Sequence, residues 1–141
     1  MAQIETDNIH HILATCRTVA VVGLSPKPHR ASFDVSRYMQ AHGWRIIPVN
    51  PVAAAAGQPI LGEKVYASLT EAAQVEKIEL VNVFRHSEDV PPVAAEAIAI
   101  GAQALWLQMG IQNAAAAAAA QAAGLRVVQN KCLMVEHAGG H

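Results

Sequence analysis

Five short runs of aliphatic and β-branched residues recur along this 141-residue chain, and a helix-like segment separates each from the next. They are residues 18–24 (TVAVVGL), 44–49 (WRIIPV), 78–84 (IELVNVF), 102–107 (AQALWL) and 125–129 (LRVVQ). The first is apolar without alternation, as expected of a strand covered on both faces. A strand that returns to its own sheet through a helix must pair in parallel, so the pattern predicts an α/β fold. The expected form is a three-layer α/β/α sandwich around a mostly parallel sheet. Residues 65–67 (VYA) are a sixth strand candidate, so five to six strands are expected. The length allows one domain, residues 1–141.

The segments between the runs carry their own signals. Asp7 is the expected cap of a first helix with Ile9, Ile12, Leu13 and Cys16 on one face. A second helix reads from about Ser32 with Val35, Tyr38, Met39 and His42 aligned, and Gly43 as its stop. The alanines at 53–56 add a helical turn, and Ser68 to Glu71 form a capping box. A helix from about Asp89 accommodates Pro91 and Pro92 in its first turn, and Asn113 caps the alanine tract 114–123. Pro48 predicts an irregular end to the second strand, and the Gly-Gly-His tail is expected to fray.

Composition narrows the function classes. Apolar residues make up 52% of the chain, more than a third of them alanine, while aromatics are 4%. The core must therefore come from thin, closely packed layers. With 15% charged residues and a net charge of −1, a nucleic-acid or anionic-membrane surface is not expected, and neither is disorder. Residues 93–111 hold one charge, Glu96, but are alanine-rich and broken at Gly101, which reads as a helix and a strand, not a membrane span. Two cysteines cannot make a disulfide framework and residues 1–11 have no signal-peptide pattern, so a cytoplasmic location is expected.

Ligands of parallel sheets bind beyond the carboxyl ends of the strands, where strand order reverses. That rule nominates residues 23–32, 50–52, 84–87 and 108–113. The first loop, GLSPKPHRAS, has one glycine where a dinucleotide turn has three, and offers Ser25, Lys27, Arg30, Ser32 and a helix N-terminus instead. Such a loop favours phosphate groups held partly by cations. No acid lies between Asp34 and Glu63 to hold a ribose, which disfavours a standard NAD site. Arg45 lies at the opposite end of its strand, so it offers nothing to the 2′-phosphate of NADP.

Five segments in order, GLSPKPHRASFDVSRYM, GWRIIPVNP, VNVFRHSEDV, LWLQMGI and GLRVVQNKC, closely resemble the stand-alone bacterial CoA-binding proteins. These are similar to the N-terminal CoA-binding domain of the succinyl-CoA synthetase α subunit. The resemblance covers about residues 8–137. It implies a Rossmann-like domain that binds coenzyme A or acyl-CoA non-covalently. Gly23, Ser25, Lys27 and Pro28 match the family's phosphate loop, and Arg30 and Ser32 its following element. Asn50 and Pro51 match the strand end that borders adenosine. Phe84, Arg85 and His86 match the pantetheine path, and Gln108, Met109 and Gly110 fall on the last nominated edge.

No catalytic residue or metal ligand is expected. The chain has neither HExxH nor CxxC, His10 and His11 diverge on a helix, and His137 and His141 fall in the tail. The ligase's phosphohistidine and nucleotide-grasp segments have no counterpart, so ligase activity is not expected. Cys16 and Trp106 read as core, and Cys132 either as a small buried residue or as a redox thiol. Two alternatives stay open: a small NAD(P)- or acyl-CoA-dependent enzyme using His29, His86 or Cys132, and an interaction subunit with a vestigial nucleotide site. A monomer or homodimer is compatible with the sequence, and any protein partner is left open.

Overall fold

The structure, a computed structural model, describes residues 2–140, so the end expected to fray at His141 lies outside the described residues. Five strands form one all-parallel sheet: β1 (Thr18–Val22), β2 (Arg45–Val49), β3 (Leu80–Val83), β4 (Ala104–Leu107) and β5 (Arg126–Val128). Their spatial order is β2-β1-β3-β4-β5. The helices are α1 (Ala2–Thr15), α2 (Ala31–Ala41), α3 (Pro51–Ala55), α4 (Leu69–Ala73), α5 (Val90–Ala99), α6 (Ala114–Ala122) and α7 (Leu133–Ala138). A 3-10 turn at Ser87–Asp89 leads into α5.

Successive strand residues point to opposite faces, and both faces are covered. Ala20, Val22, Ile47, Val81, Val83 and Leu105 pack against Leu69 of α4, Ala94 and Ala97 of α5 and Ala116, Ala117 and Ala120 of α6. Val19, Val21, Ile46, Leu80 and Trp106 pack against Ile12 of α1, Val35 and Met39 of α2 and Leu133 of α7. The result is the expected three-layer sandwich, Rossmann-like in its winding. The alanine excess has a clear place, since small side chains line the contact between α5 and α6. Trp106 is core, and its indole N–H donates to the Lys131 carbonyl at 2.8 Å.

Several local expectations need correction. Residues 65–67 form no strand; only Tyr66 pairs with Val49, as an isolated parallel bridge. That bridge lies on the outer edge of β2, where a Rossmann sheet has a further strand, so the sixth strand is reduced to one residue. Pro48 does not distort β2, which stays paired to β1 through Val49. The Pro48 carbonyl accepts from Tyr66 N–H at 3.0 Å on the outer side, so the missing N–H also faces outward and costs no bond to β1.

Helix α1 starts at Ala2, so Asp7 lies inside it and is not its cap. Its buried face includes Ile9, Ile12 and Leu13, with Cys16 just beyond its end. Asn8 is buried too: its amide donates to the Val127 carbonyl at 3.1 Å, and Glu5 accepts from Gln129 N–H at 3.2 Å. Thus α1 supplies hydrogen bonds at the β5 edge of the sheet. Residues 133–138 are ordered as α7, so His137 lies in a helix, and of the Gly-Gly-His end Gly139 and Gly140 are described, as a turn. Tyr38 and the His137 Nδ1 meet at 2.9 Å, which ties α7 to α2.

Candidate functional site

Strand β1 lies between β2 and β3, so the chain turns one way from β1 to β2 and the other way on reaching β3. The crevice at this reversal opens between Gly23, after β1, and Phe84, after β3. Gly23 has φ +89°, and a Cβ on it would collide with the Phe84 carbonyl oxygen. The close approach that this glycine permits is therefore one between strand ends.

The loop after Gly23 is braced by its own serines. Ser25 N–H donates to the Ser32 hydroxyl at 3.0 Å, and Lys27 N–H donates to the Ser25 hydroxyl at 3.1 Å. Arg30 is the N-cap of α2 and makes no side-chain cap. The Arg30 carbonyl receives Phe33 and Asp34 N–H, whereas Ala31 and Ser32 N–H have no protein partner among the described residues. The helix start therefore presents unpaired donors to the crevice.

The crevice is a hollow of about 460 Å³. Gly23, Ser25, Arg30 and Ser32 line it from the first loop, Phe84, Arg85 and His86 from the end of β3, and Gly110 from the end of β4. Eight residues singled out in the sequence thus share one wall system. Arg30 and Arg85 are exposed, and neither forms an ion pair among the described residues. Glu88 is the one carboxylate on the wall. Two free guanidiniums beside unpaired helix amides are donors of the kind from which phosphate oxygens accept.

Six singled-out residues lie elsewhere. Lys27 and Pro28 are exposed on the loop and do not line the hollow. Asn50 is occupied structurally: its side-chain oxygen accepts from Val52 and Ala53 N–H as the cap of α3, and its amide donates to the Leu24 carbonyl at 2.9 Å. Pro51 is the first residue of that helix. Gln108 and Met109 line a neighbouring apolar hollow of about 380 Å³, together with Cys132. Phe84, Ala31 and Ile111 border both hollows.

The residues that hold these loops in place include Ser87 and Asn113, which fall in the nominated segments, and Asn130, which does not. The Ser87 hydroxyl accepts from Gln112 N–H at 3.1 Å, and Asn113 donates to the Ser87 carbonyl. Asn130, at φ +56°, accepts from Gly110 N–H at 2.6 Å. An Asn just past the last strand, tolerant of that conformation, is the signal that was available. At the other end of the sheet, Arg45 grips Glu76 through two hydrogen bonds of 3.0 and 2.6 Å and also reaches Glu63. This holds the Glu76 carboxyl below its usual range.

His29 is exposed away from the hollow, His86 lines it, and Cys132 stands in the apolar neighbour. Burial pushes the Cys16 thiol up, in keeping with its place in the core. Among the described residues, no group of three or more His, Cys, Asp or Glu is placed to hold a metal ion. No described helix is long and apolar enough to cross a membrane.

Residues 17–138 match the family described as a CoA binding domain. The uncharacterized protein YneT of Bacillus subtilis (strain 168) is 42% identical over 130 residues, 92% of each chain. A hypothetical protein from Pyrococcus horikoshii OT3, of known structure, is 35% identical with a TM-score of 0.86, over 94% of this chain and 89% of that one. The fold also occurs within the dinucleotide-forming acetyl-coenzyme A synthetase 1 of Ca. Korarchaeum cryptofilum. There the identity is 20% and the TM-score 0.68, over 85% of this chain and 27% of that one.

Proposed function

The chain belongs to the CoA binding domain family, and from that premise we propose that it binds coenzyme A or an acyl-CoA non-covalently in the crevice between β1, β3 and β4. The observation that carries this reading is the pair of unpaired guanidiniums that line one hollow, Arg30 at the start of α2 and Arg85 just after β3. Coenzyme A brings a diphosphate and a 3′-phosphate, so it needs more positive charge than NAD does. The end of β2 supports the same choice, because Asn50 and Pro51 stand where a ribose-binding acid would be.

In this reading Arg30, Arg85 and the N–H groups of Ala31 and Ser32 hold phosphate oxygens. Lys27 reaches an outer phosphate from the exposed loop that Pro28 stiffens, while Gly23 and Ser25 shape its base. Phe84, His86 and Gly110 flank the pantetheine arm, and Asn50 and Pro51 fix the strand end beside the adenosine. The protein acts as a cytoplasmic binding module that senses, buffers or hands on its ligand, without chemistry of its own.

Calorimetric titration of the full chain with coenzyme A and with NAD tests this. Saturable coenzyme A binding in the micromolar-to-millimolar range, with NAD weaker, is the expected result. Clear NAD binding without coenzyme A binding refutes the proposal.

A further inference from the structure

The apolar hollow beside the phosphate crevice is not needed to hold coenzyme A's charged part. It runs between α2, the end of β4 and α7, with Met109, Cys132, Met134 and Val135 on its walls. We infer that it takes the acyl chain of an aliphatic acyl-CoA thioester, so that the preferred ligand is the acylated form. The inference rests on the CoA-binding reading above and adds the class of ligand.

Three observations carry it. The first is continuity: Ala31, Phe84 and Ile111 border both hollows, so a long ligand with its phosphates in one has its far end directed to the other. The second is the wall itself. Met109 is 64% exposed and Val135 51%, large apolar side chains left in water on a groove that an alkyl chain would cover. The third is Gln108, which lines the groove and is only 5% exposed.

Gln108 Oε1 accepts from Leu133 N–H at 3.1 Å, and that bond fixes which way the amide faces. Its Nε2 then carries no protein partner among the described residues and, unlike the side-chain amide of Asn82, is not sealed from solvent, so it is a free donor on the wall of an apolar groove. A thioester carbonyl supplies the acceptor that this donor lacks, whereas the thiol of free coenzyme A is a weak acceptor. The groove has no cationic side chain on its wall, and its charged member is Asp34, paired with Arg37 at 2.7 Å. A dicarboxylic acyl group such as succinyl therefore meets apolar surface and a carboxylate, which excludes it from the preferred class.

Titration of the full chain with coenzyme A, acetyl-, hexanoyl- and succinyl-CoA decides the matter. A fully buried methylene strengthens binding by roughly threefold to fourfold. With the chain only partly covered, hexanoyl-CoA is expected to bind at least about tenfold more tightly than coenzyme A, and succinyl-CoA no more tightly than coenzyme A. Val135→Asp, at an exposed position of α7, is expected to abolish the hexanoyl preference and leave coenzyme A affinity unchanged. Equal affinities for coenzyme A and hexanoyl-CoA, tightest binding of succinyl-CoA, or a Val135→Asp variant that keeps the preference overturns the inference alone. Failure of all four ligands to bind overturns the CoA-binding reading, and the inference falls with it.

Discussion

Two residues at the crevice do different work, and substitution separates them. Arg30 has no partner within the protein to lose, so its removal should leave stability untouched. If it makes a charge-assisted bond to phosphate, Arg30→Ala weakens coenzyme A binding by roughly 1–3 kcal/mol, read by titration calorimetry. Gly23→Ala acts on the fold first. An L-residue held at positive φ costs roughly 1–2 kcal/mol, and the new Cβ also presses on the Phe84 carbonyl. A loss of at least about 2 kcal/mol in denaturant unfolding is expected, because β1 and β3 must separate before the methyl fits. That Arg30 and Arg85 share one crevice was legible, because finding the strand-order reversal needs only strand positions. What the sequence does not show at Asn50 is its structural use: Asn-Pro after a strand is also a helix-start signal, and the side chain is occupied by the cap of α3 and the Leu24 carbonyl.

Among the elements, the strands were legible and α7 was not. The strands are apolar on both faces, so they stand out whatever surrounds them. The six residues of α7 have no strong pattern, and their stability comes from docking: Leu133 enters the core and His137 meets Tyr38, His42 and Trp44. Burial, with His42 and Arg17 nearby, pushes the His137 imidazole below its ordinary value of 6.5. The unfolded chain thus takes up a proton at higher pH than the fold does, and the stabilisation is whole above pH 6.5. It declines as pH falls from there through the lower folded value. The denaturant midpoint is therefore expected to fall between neutral pH and about pH 5, and to fall less in His137→Gln. An identical pH profile for the two proteins would remove His137 as the cause. The short strand expected at 65–67 failed for a related reason: three residues, Val-Tyr-Ala, name a tendency, but pairing depends on how long the chain stays beside β2.

At the scale of the whole molecule, the first helix is held by the last strand. Asn8 and Glu5 bond backbone groups of Val127 and Gln129, and Ile9, Ile12 and Leu13 join the core on the same side. Burying three such side chains contributes at most roughly 5–9 kcal/mol, on the order of the entire stability of a small domain. A chain lacking residues 2–15 is therefore expected to show no cooperative melt by circular dichroism. A sharp transition close to that of the full chain would contradict this. The same contact has a consequence for biosynthesis. Helix α1 is made before β5 and finds its site only after β5 has emerged, 119 residues later in the case of Asn8 and Val127. Until then one apolar stripe of α1 stays uncovered, so the growing chain depends on whatever shields nascent hydrophobic helices, and a ribosome stalled before residue 126 holds a product that has no way to close.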